Sequence, residues 1–183
     1  MKLYRIFPYR EGAAPSERGG ALFAPAGGYN RIDNPDLYDV LYVAANPEAA
    51  IAETFGRLPL WSPETFVSAS GLHYALATYE MANEDAILSL NDVDALKSLG
   101  ITRPSNVVTR DRTKTQAWAR TIFESGQFAG ISWWSYYGPD WTVMGLWDRS
   151  AVNIVGMPQE ITFESAIVRE TAVAIVRQIV GRT

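Results

Sequence analysis

"DVLYVAANPEAAIAETF", residues 39–55, constrains the fold more than any other stretch. After Asp39 the run to Ala44 is aliphatic or aromatic, the composition of a strand buried on both faces. Asn46-Pro47-Glu48 follows with an N-cap, a proline at the first helical position and an acid in the first turn. A helix therefore opens there and runs to about Gly56. Charged residues flank this strand–helix unit: Arg31 in the polar turn "AGGYNRIDNPD" before it, and Glu53 on the helix itself. Each has an ordinary reading as a surface charge, Glu53 with Arg57 four residues on and Arg31 beside Asp33. Set on either side of one buried strand, they can also face a common cleft.

The rest of the chain adds strands and helices in irregular alternation. "KLYRIF" (2–7) reads as a strand with Leu3, Arg5 and Phe7 on one face and Tyr4 and Ile6 on the other. An arginine on a core-facing side requires an anionic partner, either a protein carboxylate or a ligand phosphate. Residues 8–20 form a Pro/Gly-rich loop, 21–25 a short strand, and 72–80 another strand. A short helix is expected over 91–100 and a longer one over 111–126, closed by Gly126. "AGISWWS" and "TVMGLWD" pair as strands across "YYGPDW". Residues 162–180 read as a final amphipathic helix with Val168, Ala172, Ile175, Val176 and Ile179 on one stripe. Regular βαβ units are not evident, so the expected class is α+β. The 183 residues form one domain, 1–183, long enough to bury about 70% of its unfolded surface without staples.

Several chemistries are disfavoured by what the chain lacks. It has no cysteine and a single histidine, His73, which reads as a packed strand residue, so neither a thiolate metal site nor a Ser-His-Asp triad is expected. No P-loop or GxGxxG occurs. The net charge of −4 and the absence of a basic block argue against direct nucleic-acid binding. No run of about 18 apolar residues spans a membrane and no signal-peptide core is present, so a cytoplasmic location is expected. The aromatic segment "GISWWSYYGPDW" can be core or a stacking wall for a planar ring. Strand alternation puts Ile131, Trp133 and Ser135 on one face and Ser132, Trp134 and Tyr136 on the other; if the segment walls a cleft, Trp133 shares the ligand side with Ser135 while Trp134 packs the opposite face. Without a nearby histidine Ser135 suits hydrogen bonding to a ligand better than nucleophilic attack.

Taken together, "LYRIF", "GGYNRIDNP", "VLYVA", "NPEAAIAET" and "GISWWS" resemble, in order, the motifs of the RES-domain family, with Arg31 eleven residues before Tyr42 and Glu53 a further eleven on. The resemblance implies an ADP-ribosyltransferase-like fold with small mixed sheets around an NAD cleft. It implies NAD⁺ as substrate, cleaved at the nicotinamide–ribose bond with inorganic phosphate or water as acceptor, and no metal. Glu53, Arg31 and Ser135 are the implied catalytic residues. Arg5, Arg31, Tyr42, Glu53, Trp133 and Ser135 are the implied binding residues. A helix-turn-helix antitoxin and a homodimer are the implied partners. Transfer of ADP-ribose to a protein, or a non-catalytic NAD- or protein-binding module, are the alternatives.

Overall fold

The computed structural model describes residues 1–181; Arg182 and Thr183, the end of the expected domain, lie outside the described residues. In chain order the elements are β1 (Lys2–Pro8), β2 (Leu41–Ala44), α1 (Pro47–Phe55), β3 (Leu60–Trp61), β4 (Tyr74–Met81), β5 (Ile87–Ser89), α2 (Val93–Ser98), α3 (Arg112–Glu124), β6 (Gly130–Trp134), β7 (Thr142–Leu146), β8 (Val152–Glu160), α4 (Ala166–Ala174) and β9 (Gln178–Ile179). Seven strands form one sheet in the order β5-β6-β7-β2-β1-β4-β8, and β3 pairs with β9 in a second, two-stranded sheet. Pairing in the large sheet is antiparallel except between β5 and β6, which run parallel because α2 and α3 cross between them. The result is the expected single α+β domain.

Strand alternation divides the core in two. On the back face Leu3, Phe7, Leu41, Val43, Tyr79, Met144 and Leu146 pack together beneath Ala21 and Ala24 of the loop that follows β1. On the front face Ile6, Ala44, Ile131, Trp133 and Val143 pack against α1, α3 and α4. The α1 helix approaches closely because its inner side is Ala49, Ala50, Ile51 and Ala52, all buried. Asn46 caps it, its side chain accepting from the Ala49 N–H at 2.7 Å, as the sequence requires.

Four expectations need correction. Residues 21–25 form no strand; the carbonyls of Ala21 and Phe23 accept hydrogen bonds from the Arg5 guanidinium instead of from a ladder. The last helix ends at Ala174 rather than near residue 180. Val176 adopts a left-handed φ of 54° and is exposed, and Arg177 takes up the freed carbonyls of Ile175 and Val176 while its Nε donates to Gly56 O at 2.7 Å. Ile179, placed on that helical stripe by its spacing, belongs instead to β9. His73 is not packed inside a strand; it lies exposed just before β4, its Nδ1 2.9 Å from the Glu160 carboxylate. Trp134 does not pack the opposite face cleanly, since its half-buried ring borders the same front-face cluster as Trp133.

Candidate active site

A cavity of about 320 Å³ opens on the front face at the junction of β1, β2, α1, β6 and the start of α3. Tyr4, Arg31, Tyr42, Glu53, Arg112 and Trp133 supply its functional side chains. Arg31 and Glu53 therefore do face one cleft, with Tyr42 of the intervening strand between them.

Glu53 owes its position to α1. The alanines and Phe55 are buried, which leaves Glu53 on the helix's exposed side at the cavity rim. It forms no ion pair with Arg57 among the described residues; its Oε1 accepts from the Ser135 hydroxyl at 2.6 Å. Ser135 is 2% exposed, and its Oγ in turn accepts from the Tyr137 backbone N–H at 3.1 Å. The hydroxyl proton is thereby directed at Glu53, and the carboxylate is fixed in one orientation. Tyr137 packs against Gly56 at the end of α1, where an added Cβ would meet its ring at 2.6 Å. Burial first, then the Glu53 charge, pushes the Tyr137 phenol above its usual pKa.

Arg31 is held in a turn fixed from below and from the side. The Tyr42 hydroxyl donates to Asp33 Oδ1 at 2.6 Å and accepts from the Ile32 N–H at 3.3 Å. Asp33 Oδ2 accepts from the Asn30 N–H at 2.9 Å. Burial, reinforced by the bond to Asp33, raises the Tyr42 pKa far above its normal value, so the phenol stays protonated and keeps donating. Gln116 of α3 donates to the carbonyls of Gly28 and Asn30 from outside. Beneath the turn, Ile32 rests on bare backbone at Gly145 of β7, where any Cβ would collide with the Ile32 side chain. Gly145 pairs with Tyr42 across the strands, so one cross-strand position supplies both the clamp and the seat.

The Arg31 guanidinium reaches across to the loop before α3. Its Nη1 donates to Val107 O at 2.5 Å and Thr109 O at 2.9 Å, and its Nη2 lies 3.4 Å from Val108 O. Its Cζ stands 6.0 Å from the Trp133 ring centroid. Desolvation first, and the nearby Arg112 charge second, lower its pKa to about 10, so it remains a cation at neutral pH. Trp133 is 5% exposed, packs edge-on to Tyr42 and lines the cavity with Glu53, as the alternation predicts.

Arg5 is placed differently. Its strand borders the cavity, but its Nη1 and Nη2 donate to Ala21 O at 2.9 Å and Phe23 O at 2.8 Å, beside Leu3 and Phe7 on the back face. Neither a carboxylate nor a ligand phosphate is needed to account for its burial. Tyr4 and Arg112, which sequence reasoning did not single out, both line the cavity. Alternation already put Tyr4 on the face opposite Arg5, a signal for Tyr4 available in the sequence. Arg112 gave none, because it reads as an ordinary first-turn residue of a helix.

The RES domain model matches residues 2–165, and the chain belongs to the RES domain family. The crystal structure of the M. tuberculosis MbcT–MbcA toxin–antitoxin complex contains a similar chain, with a TM-score of 0.61 and 14% sequence identity, covering 94% of this chain and 88% of that one. At that identity the likeness is one of fold. No curated protein matches in sequence.

Proposed function

We propose that this chain is an NAD⁺-cleaving toxin, restrained by an antitoxin partner, that breaks the nicotinamide–ribose bond. The observation that carries the reading is the oriented Glu53 carboxylate, 2.6 Å from the Ser135 hydroxyl, at the rim of a cavity walled by Trp133 and Tyr42. Membership of the RES family and a fold shared with one component of a toxin–antitoxin complex agree with it.

Nicotinamide in NAD⁺ is a cationic ring that an aromatic wall can hold. When the C1′–N bond breaks, its electron pair leaves with nicotinamide, which departs neutral and needs no general acid. Oxocarbenium charge develops on the ribose, and Glu53 stabilises it from nearby. A water or phosphate oxygen then forms the new C1′–O bond; with water, the displaced proton passes to solvent. Ser135 acts as a positioning residue, holding one Glu53 oxygen so that the other faces the substrate.

Incubating the pure protein with NAD⁺, with and without inorganic phosphate, and identifying the products by mass spectrometry tests this. Free nicotinamide is expected in both the presence and absence of an added protein target. ADP-ribose 1″-phosphate would mark phosphorolysis and ADP-ribose hydrolysis. Intact NAD⁺ after prolonged incubation would reject the reading, and ADP-ribose recovered only on added protein would favour transfer.

A further inference from the structure

We infer that Arg112 is the residue that binds the anionic diphosphate of the substrate, with Arg31 holding the loop that presents it. The inference rests on the NAD⁺ reading for the identity of the anion, though not for the existence of an anion site. Three arginines border the cavity, and two already have partners. Both terminal nitrogens of Arg5 donate to carbonyls on the back face, and both terminal nitrogens of Arg31 face the carbonyls of residues 107–109. Arg112 makes one contact, from Nη1 to Thr109 O at 3.2 Å, and pairs with no carboxylate among the described residues. A guanidinium has five donors, so most of the hydrogen-bonding capacity of this cavity-lining residue is unmatched among the described residues.

Its surroundings favour an anion. Arg31 and Arg112 lie close enough for each charge to oppose the other, a repulsion that a dianion between them converts to attraction. The acid nearest in sequence, Asp111, is directed elsewhere: it caps α3 through the Lys114 N–H and pairs with the Lys114 ammonium at 3.2 Å. The remaining cavity acid, Glu53, is bonded to Ser135. Arg112 thus supplies a forked donor, and Glu53 an acid suited to developing positive charge, to the same cavity. A ligand with a diphosphate at one end and a cationic ring at the other fits that polarity.

The test is calorimetric titration of the full chain with inorganic pyrophosphate, ADP-ribose, inorganic phosphate and nicotinamide, repeated on Arg112→Gln, Arg112→Lys and, as a charge control, Arg18→Gln in the loop over the back face. Arg112→Gln is expected to weaken pyrophosphate and ADP-ribose binding about tenfold or more and to leave nicotinamide binding unchanged. The lysine variant should recover part of the loss, because it restores the charge without the fork. A purely structural role would lower the melting temperature and affect all four ligands together. The inference is overturned if the parent binds no pyrophosphate, if Arg112→Gln binds it like the parent, or if only inorganic phosphate binding is lost. The last outcome would assign Arg112 to a phosphate acceptor instead. A parent that binds pyrophosphate through Arg112 yet leaves NAD⁺ intact keeps the anion site and removes the cleavage reading.

Discussion

Arg5 and Arg31 stand on opposite faces of one sheet, and both grip peptide carbonyls of a distant loop. On the back face the gripped loop, residues 21–23, closes over apolar side chains. On the front face the gripped loop, residues 107–109, stands at the edge of a cavity and leads directly into Arg112. The same chemical device seals one face and shapes the other. What separates them is the neighbourhood: Tyr79 and Phe7 beside Arg5, against Glu53, Ser135 and a second arginine on the front. A buried arginine is thus evidence of loop anchoring first, and of ligand binding only where unmatched donors and an opposing acid share its cavity.

The contrast between the faces can be broken most forcefully at Glu53. Glu53→Gln keeps the shape and the contact to Ser135 but removes the charge, so kcat for NAD⁺ cleavage should fall about 100-fold or more while folding and nicotinamide binding persist. Turnover within a few-fold of the parent in a steady-state assay would remove Glu53 from its assigned role.

Next in size is the pair of arginines themselves. Arg5→Ala should cost about 2–4 kcal/mol of stability, since it frees two carbonyls from charge-assisted bonds, and should leave the affinity for ADP-ribose nearly intact. Arg31→Ala should weaken ADP-ribose binding strongly as well, because the loop bearing Arg112 loses its anchor. Denaturant unfolding and calorimetry on both variants decide it; equal losses of affinity would mean the faces are not independent.

A smaller effect is expected from Ser135→Ala. With one Glu53 oxygen unheld, kcat should drop about tenfold with KM little changed. Restoration by Ser135→Thr would show that the hydroxyl, rather than packing, is responsible, and an unchanged kcat in the alanine variant would sink the positioning role.

The smallest signal is optical. Nicotinamide stacked in the cavity should quench Trp133, so Trp133→Phe should remove most of the ligand-dependent quench, whereas Trp134→Phe should leave it and lower stability instead. The opposite pattern would place the ring beside Trp134 rather than Trp133.

What could be read in the sequence was local. The β2–α1 unit declares itself through an apolar run, an asparagine cap and a proline, and Glu53 follows from it by counting along the helix. Ser135 and Trp133 follow from alternation through β6. What could not be read depended on partners distant in the chain. The end of α4 is set by Arg177 reaching back to Gly56. The carbonyls that satisfy Arg5 lie in a loop with the composition of a strand. β8, at the sheet edge, contains Gly156 and Pro158 and is largely exposed, so it shows no apolar alternation to detect. Arg112 becomes visible only after the crossover from β5 to β6 has brought the start of α3 beside the turn of Arg31.

The bare backbone at Gly145 has a consequence for how this cleft could change over generations. Because the arginine turn rests where a side chain is missing, a single added methyl there would lift Ile32, loosen the grip of Tyr42 and swing Arg31 away from its loop, with every residue of the cavity unchanged in identity. A lineage could silence such a protein without touching its chemistry, and a survey of the site residues alone would count the silenced copy as intact.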